Sequence, residues 1–226
     1  ISSDTRERLT YGFSYIYGAS ETFYSQDFGI DLAWKPTSQI NLKLSPAFSV
    51  YDNSIQYVGS YLDATFKNTY SSRYLFGSLY QQTFQVPIRL NYIFTPNLSI
   101  QSYFQPYFSV GEYKELKWLD QEKSRNFSNY SNVQKTPDKF VVDADGSGPS
   151  PSHSFDHPNF NFASFKANVV LRWEALPGSV FYAAWSHGRF INESGSDFEL
   201  HQSFNRVFED KPENVYVLKF SYWINP

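Results

Sequence analysis

Residues 161 to 175 alternate between two kinds of side chain. The odd positions, mostly apolar, are Asn161, Ala163, Phe165, Ala167, Val169, Leu171, Trp173 and Ala175. The even positions include Ser164, Lys166, Asn168, Arg172 and Glu174. Because successive side chains of a β-strand point to opposite faces, this pattern predicts a strand between two very different environments.

The same alternation recurs along the chain. It is found in segments 9–17, 24–34, 40–50, 84–94, 98–110, 179–190 and 216–224, although the facing of 179–190 is ambiguous. The predicted strands have roughly 10 to 20 residues, whereas soluble strands usually have about 5 or 6 and membrane-crossing strands about 9 to 11. The strand lengths therefore favour a membrane β-barrel.

The connections between these segments alternate between short and long. The short ones are residues 35–39, 95–97 and 176–178, and the long ones are 51–72, 111–160 and 191–214; the tight link at 18–21 breaks the rule. Short turns at one end and long loops at the other are typical of outer-membrane barrels. We therefore expect the three long links to be extracellular.

Aromatic residues mark the strand ends beside the short turns. Trp34, Phe94 and Trp173 all occupy such positions. Because aromatic girdles lie at the membrane–water interfaces of barrels, we interpret these three residues as girdle residues.

A turn and a strand repeat once in the chain, with a proline inside each strand. Residues 34–50 and 94–110 align so that Pro46 matches Pro106, and Pro87 falls in the strand between them. Proline cannot donate to a β-ladder, so we expect bulges or interrupted pairing in this part of the sheet.

The composition narrows the class of protein. Of 226 residues, 20% are aromatic, Met and Cys are absent, and the mean hydropathy is −0.47. No run of about 18 apolar residues occurs, which excludes a helical membrane span. The net charge of −3 argues against nucleic-acid binding. Because the chain begins with Ile1, we expect it to be a segment of a longer protein.

The predicted fold class is all-β: a transmembrane outer-membrane up-and-down antiparallel β-barrel. Residues 1–226 would supply eight strands, forming the C-terminal part of a larger barrel. A soluble β-sandwich is the alternative, with its polar face toward water, but it should have shorter strands and more even loops.

Three stretches resemble a known family. They are "RYLFGSLYQQTFQVPIRLNYIFTPNLSIQSYFQPYFSVGEYKELK" at 73–117, "DADGSGPSPSHSFDHPNFNFASFKANVVLRWEALPGS" at 143–179 and "PENVYVLKFSYW" at 212–223. Together they resemble the C-terminal region of an outer-membrane family of Bacteroidota, over about residues 40 to 226. That family pairs an N-terminal module resembling carbohydrate-binding family 9 with a long β-rich domain of unknown function. The resemblance implies a barrel segment, and it assigns no catalytic or sugar-binding residue here.

The charged residues of the polar parity form the main candidate site. The basic members are Arg8, Lys35, Lys43, Arg89, Lys166, Arg172 and Lys219, and the acidic members are Asp27, Asp31 and Glu174. A charge facing lipid at mid-depth costs about 2 to 4 kcal/mol, so these side chains should face a lumen or each other.

Two metal sites are conceivable. Asp143 and Asp145 precede Gly146 with the spacing of calcium ligands, but the later Glu of a calcium loop is missing and a plain turn explains them equally. His153, Asp156 and His157 have zinc-ligand types without a matching spacing, and a solvated loop is the simpler interpretation.

No nucleophile, phosphate-binding or metalloprotease motif is present, so we predict no catalytic residues and no cofactor other than the calcium candidate. A solute channel or transporter with a basic lumen is the leading hypothesis. A non-conducting surface scaffold that anchors a glycan-binding module or docks partner proteins is nearly level with it, and a barrel-borne hydrolase is the third. In each case the expected location is the outer membrane of a Gram-negative bacterium, with outer-membrane lipids, lipopolysaccharide and further barrel strands as partners.

Overall fold

The computed structural model describes residues 2–4, 6–136, 139–195 and 199–223, and these form antiparallel β-structure with one α-helix. The strands are β1 Leu9–Ala19, β2 Phe23–Trp34, β3 Ile40–Leu44, β4 Ala47–Leu62, β5 Ser72–Gln85, β6 Ile88–Thr95, β7 Leu98–Leu119, β8 Phe127–Asn129, β9 Asn132–Lys135, β10 Lys139–Asp143, β11 His153–Asp156, β12 Phe160–Leu176, β13 Ser179–Glu193 and β14 Glu213–Ser221. The prediction of an all-β antiparallel chain is confirmed.

The main sheet is a meander in which neighbours in the chain are neighbours in space. Strands β3 and β4 both pair with β2, and the register is the same on either side of the gap between them. The same is true of β5 and β6, which both pair with β7. Each of these two pairs therefore acts as one interrupted strand. The chain therefore crosses the sheet eight times, as the alternation predicts. Within the described residues, the outermost strands β1 and β14 pair with β2 and β13, and the other side of β1 makes only a short contact with Ser2 and Ser3.

Prolines cause the two interruptions. The ladder pauses at Pro46 and at Pro87, whereas Pro106 lies inside the continuous strand β7. The carbonyls of all three still accept backbone hydrogen bonds across the sheet, from Ile30, Ser45 and Val86 respectively. The interrupted pairing at Pro46 and Pro87 is confirmed, and it occurs without any shift of register. Each proline removes one donor and leaves the reciprocal bond in place.

The strands extend further into the predicted loops than the alternation indicates. The connections are residues 63–71, 120–159 and 194–212, which is shorter at each end than the predicted 51–72, 111–160 and 191–214. The first contains a short 3₁₀-helix, Lys67–Thr69. We call the end of the sheet with these connections the loop end and the other the turn end. Toward the loop end both faces carry polar residues, so the strands continue after the alternation has faded.

The registers separate two faces. Residues that lie directly opposite one another in successive strands form a cross-strand row. We call one face of the sheet the apolar face; in β7 it carries Leu98, Ile100, Phe104 and Phe108. Its rows from Leu98 to Phe108 form what we call the apolar band. The last row of the band contains four phenylalanines and two flanking residues: Tyr15, Phe28, Phe48, Phe84, Phe108 and Ala163. The next rows turn partly polar: Gln26, Gln82, Asn161 and Glu193 share a row with Val50 and Val110, and Asp52 and Glu112 share the following one with Tyr24 and Tyr80.

The helix α1, Leu200–Glu209, packs on the apolar face, and the alternation analysis did not predict it. Val207 is buried against Phe108 and Ala163 of the phenylalanine row. Its apolar positions at 200, 204, 207 and 208 have helical spacing, which is the signal that could have revealed it. No helix within the described parts of the chain has the length and apolar character needed to cross a membrane.

A second, three-stranded sheet of β9, β10 and β11 packs over the loop end. Phe140 and Val142 of β10 form a core with Tyr61 of β4, Leu75 of β5 and Leu116 of β7. Leu75 belongs to the face opposite the apolar one, so this small sheet covers the polar face near the loop end.

This core yields the first prediction. Replacing the fully buried Phe140 by alanine should cost about 3 to 5 kcal/mol and release the small sheet. Limited proteolysis of the folded protein should then cleave residues 120–159 much faster in Phe140→Ala than in the wild type. The matched control is Phe190→Ala, which removes a ring that is 63% exposed and should leave the cleavage rate unchanged. Equal cleavage of wild type and Phe140→Ala would contradict the packing.

Candidate functional site on the polar face

The polar face brings the predicted charged residues together. Lys43 lies directly opposite Arg89, which lies opposite Tyr103 of β7, and Lys166 of β12 lies opposite Gln105. On the other side, Arg172 and Lys219 lie on either side of Tyr182 of β13. We call Lys43, Arg89, Lys166, Arg172 and Lys219 the basic belt.

The belt is narrow along the strand direction. Its members lie in the rows of β7 from Ser99, opposite Arg172, to Gln105, opposite Lys166. At about 3.4 Å per residue, these rows span about 20 Å of strand. The belt therefore runs across most of the sheet near the turn end rather than along one strand.

Four of the five basic side chains of the belt lack an ion-pair partner among the described residues. Arg172 forms an ion pair with Glu174 at 2.9 Å, and Glu174 also accepts a hydrogen bond from the Gly178 backbone. In the part of the chain that the structure describes, no ion pair within 4.0 Å involves Lys43, Arg89, Lys166 or Lys219. All four are exposed. These four residues thus present exposed cations to the space over the polar face, with the guanidinium of Arg89 5.2 Å from the centre of the Tyr103 ring.

The remaining predicted charges surround the belt. Arg8 and Lys35 lie just beyond β1 and β2 at the turn end, joined by a backbone hydrogen bond of 2.7 Å. Asp31, in the row of Lys166, accepts a hydrogen bond from the Ser45 hydroxyl at 2.7 Å. Asp27 lies four residues closer to the loop end on the same face.

Toward the loop end uncharged polar side chains dominate this face, with Asp27 as the charged member of the row of Thr83 and Ser109. The Gln81 amide donates to the Ser109 hydroxyl at 2.9 Å, and Thr83 shares a hydrogen bond with the same hydroxyl. Gln105 donates to Gln85 at 3.2 Å. These bonds tie polar side chains of adjacent strands to one another, and Ser109 is buried, where a polar group needs a hydrogen-bond partner.

The three girdle candidates lie at the turn end on half-exposed positions. Trp34 and Trp173 are on the apolar face, in the rows of Ser102 and Leu98. Phe94 follows at the end of β6, with its ring 4.3 Å from that of Tyr92. Their arrangement suits a girdle, but the membrane interface itself remains a prediction.

The acidic calcium candidates form a turn. Asp143 accepts hydrogen bonds from the backbone N–H groups of Asp145 and Gly146, and Asp145 accepts one from Ser150. Among the described residues, no three His, Cys, Asp or Glu side chains come together as a metal site. The geometry therefore adds no support to the calcium hypothesis.

The histidines of the same segment pack against aromatic rings. His153 stacks on Tyr61 with ring centroids 4.3 Å apart, and His157 contacts Phe140 at 4.2 Å. Burial lowers the pKa of both imidazoles. Their role in the small sheet is consistent with packing rather than with zinc binding.

An ion pair that sequence reasoning missed joins three loop-end segments. Asp63 and Arg73 are buried, with Nε of Arg73 2.6 Å from Oδ2 of Asp63. Ser150, from the connection 120–159, donates to Asp63 at 3.0 Å, and Thr65 donates to its other oxygen. No local pattern could reveal this cluster, because Ser150 is far from Asp63 and Arg73 in the sequence.

The cluster controls the titration of Asp63. Burial alone would raise the pKa of this carboxyl, but hydrogen bonds from Thr65, Arg73 and Ser150 outweigh burial and lower the pKa from 3.8 to about 2. A carboxyl whose folded pKa is lowered stabilises the fold above its ordinary pKa, and that contribution is lost as the pH falls toward the folded value.

We therefore predict that the stability of the loop end falls between about pH 4 and pH 2, by about 2 kcal/mol. At neutral pH, Asp63→Asn should destabilise the loop end by about 3 to 5 kcal/mol, because it leaves the Arg73 charge buried without compensation. Thermal unfolding followed by near-ultraviolet circular dichroism measures both effects.

The matched control is Glu21→Gln, which removes the carboxylate of an exposed ion pair with Arg125. An exposed pair contributes about 0 to 1 kcal/mol, so this variant should unfold like the wild type. Equal effects of Asp63→Asn and Glu21→Gln would contradict the role of the buried pair.

Comparison with known proteins supports the resemblance to a family with a domain of unknown function. The family model described as Domain of unknown function (DUF5916) matches residues 1–225. No curated protein and no solved structure matches the chain. Because the family match covers almost the whole chain, the two-faced sheet and its basic belt are features of a member of this family. The chain belongs to the DUF5916 family.

Proposed function

We propose that this chain contributes eight strands to an outer-membrane β-barrel whose polar face lines the interior, and that the basic belt makes this interior a pathway for anionic solutes. The observation that carries the proposal is the segregation of the two faces. All five members of the belt share one face, and the opposite face holds the apolar band, in whose described rows Arg189 is the one charged residue.

The height of the apolar band fits a bilayer. From Leu98 to Phe108 the band extends ten residues along β7. At about 3.4 Å per residue and a strand tilt of about 40°, this corresponds to about 25 Å, the height of the apolar band of outer-membrane barrels. Partly polar rows, which include charged residues and tyrosines, follow on the loop side, as expected where a strand leaves the hydrocarbon.

The apolar face is poorly covered by protein. Large side chains such as Phe13, Tyr15, Trp34, Trp173 and Leu218 are at least 47% exposed. Among the described residues, only α1 packs on this face, and no second sheet covers it. A soluble β-sandwich would cover the face with a second layer, and monomeric soluble proteins rarely expose contiguous apolar patches of this kind.

The open edges support a larger barrel. Apart from the short contact of Ser2 and Ser3 with β1, the outer sides of β1 and β14 have no strand partner among the described residues, and hydrocarbon does not tolerate unpaired backbone groups. We infer that further strands complete the cylinder, supplied by the same protein or by a partner. The resemblance to the Bacteroidota family with a carbohydrate-binding family 9-like module suggests an upstream binding module and a Gram-negative outer membrane.

The basic belt predicts anion selectivity. Rings of Arg and Lys favour anions in pores, and low-dielectric walls strengthen their field. In planar bilayers under a salt gradient, the reversal potential of the complete protein should indicate anion preference. Lys43→Glu combined with Arg89→Glu should reduce or invert this preference, because it replaces two positive charges, which face each other in neighbouring strands, by negative ones.

The matched control is Lys123→Glu combined with Arg125→Glu, which makes the same total charge change at two exposed positions of the loop end. It should leave the selectivity close to that of the wild type. Cation preference of the wild type, or an equal change in both variants, would contradict the role assigned to the belt.

A non-conducting scaffold is the second candidate, and the small sheet favours it. Phe140 and Val142 lie over Leu75 of the polar face, so the segment 120–159 covers part of the loop-end opening. A wild-type protein that inserts into bilayers without conducting, while Phe140→Ala conducts, would support the scaffold. In either case we propose a non-enzymatic role and assign no catalytic residues.

A further inference from the structure

We propose that α1 is an interfacial helix, lying at the lipid–water boundary of the loop-end leaflet with one side on the sheet and one side in the lipid. This inference rests on the proposed function and assigns a membrane-contact site to a segment outside the strands. The partner is the boundary between acyl chains and headgroups.

The first argument is the position of α1 relative to the apolar band. Val207 contacts Phe108 and Ala163 in the last row of the band, and the ring of Phe208 lies 5.1 Å from that of Phe165 in the row before it. Ser203 donates to Asn161 in the first polar row. The helix therefore spans the transition from apolar to polar rows, which is where the hydrocarbon should end.

The second argument is the way the helix surface divides. Ser203 and Val207 face the sheet and are buried. Leu200, Phe204 and Phe208 follow one another at intervals of four residues and form a stripe, which we call the lipid stripe. Its members remain 37%, 43% and 40% exposed, so large apolar surface is left open beside the band.

The polar side of α1 lies on the side of the helix opposite the lipid stripe. Arg206 forms an ion pair with Glu193, the residue of β13 in the first polar row. Gln202 lines a groove with Arg206 and the residues that follow β13. Apolar side chains toward the band and polar side chains toward the loops are what an amphipathic helix at a membrane surface requires.

The third argument is the anchoring of the C-terminal end of α1. Arg189, on the apolar face of β13, donates to the carbonyl oxygens of Phe208 and Asp210, and its guanidinium lies 5.4 Å from the centre of the Phe208 ring. It also donates to His187, whose other nitrogen bonds to Asn214. A cation at a helix C-terminus satisfies free carbonyls and the helix dipole. This bond network holds α1 at the level of Arg189 and keeps that charge away from lipid.

These 226 residues contain no cysteine, so the test needs replacement by serine only of any cysteine elsewhere in the complete protein. Single nitroxide labels are placed in the complete protein at Leu200→Cys and Phe204→Cys on the lipid stripe, and at Gln202→Cys on the polar side. The protein is reconstituted in phosphatidylcholine vesicles, and collisions with oxygen and with a water-soluble nickel complex are measured. A fourth label, Leu171→Cys, reports on the middle of the apolar band.

We expect the labels at 200 and 204 to collide with oxygen more often than the label at 202 does, and with the nickel complex much less often. The label at 202 should remain accessible to the nickel complex. Nickel access at 200, 202 and 204 alike, with a lipid-exposed label at 171, would overturn the interfacial helix and leave the barrel intact. Shielding of 200 and 204 from both reagents would overturn it in favour of a protein partner. Nickel access at 171 would contradict the proposed barrel itself.

Discussion

The structure depends on one constraint, the cross-strand register of the main sheet. Because side chains alternate with a period of two, a slip of one residue between any two strands would move a whole strand's apolar set to the other face. The registers from β1 to β14 avoid this slip within the band, so Lys43, Arg89, Lys166 and Lys219 share one face. The apolar band, the basic belt and the surface on which α1 packs all follow from that alignment.

Two features keep the register through its weakest region. Pro46, Pro87 and Pro106 remove donors in three adjacent crossings, yet their carbonyls remain bonded across the sheet. Directly beside them, the phenylalanine row places a phenylalanine in each of four successive crossings, and Phe84 and Phe108 pack with Val207 of α1 in one cluster. Cross-strand aromatic pairs stabilise a sheet by roughly 0.2 to 1 kcal/mol each, so the row offsets part of what the prolines remove.

The sequence allowed much of the sheet to be predicted, and less of what packs on it. Alternation identified the eight crossings and the shared parity of Arg89, Arg172 and Lys219, because local pattern is enough to define a strand's two faces. It misplaced the loop bounds, because beyond the band both faces are polar. It did not reveal α1, whose short apolar spacing lies in a polar segment. It could not reveal the Asp63–Arg73–Ser150 cluster, because those contacts join residues that only the tertiary fold brings together.

The central claim is that the apolar face contacts lipid and the polar face contacts water. A nitroxide scan of consecutive single-cysteine variants from residue 165 to residue 173 of β12, in bilayers, tests it most directly. The account predicts oxygen accessibility that rises at odd positions and falls at even positions, with nickel accessibility in the opposite phase. Accessibility without a period of two, or with nickel maxima at Ala167, Val169 and Leu171, would contradict it.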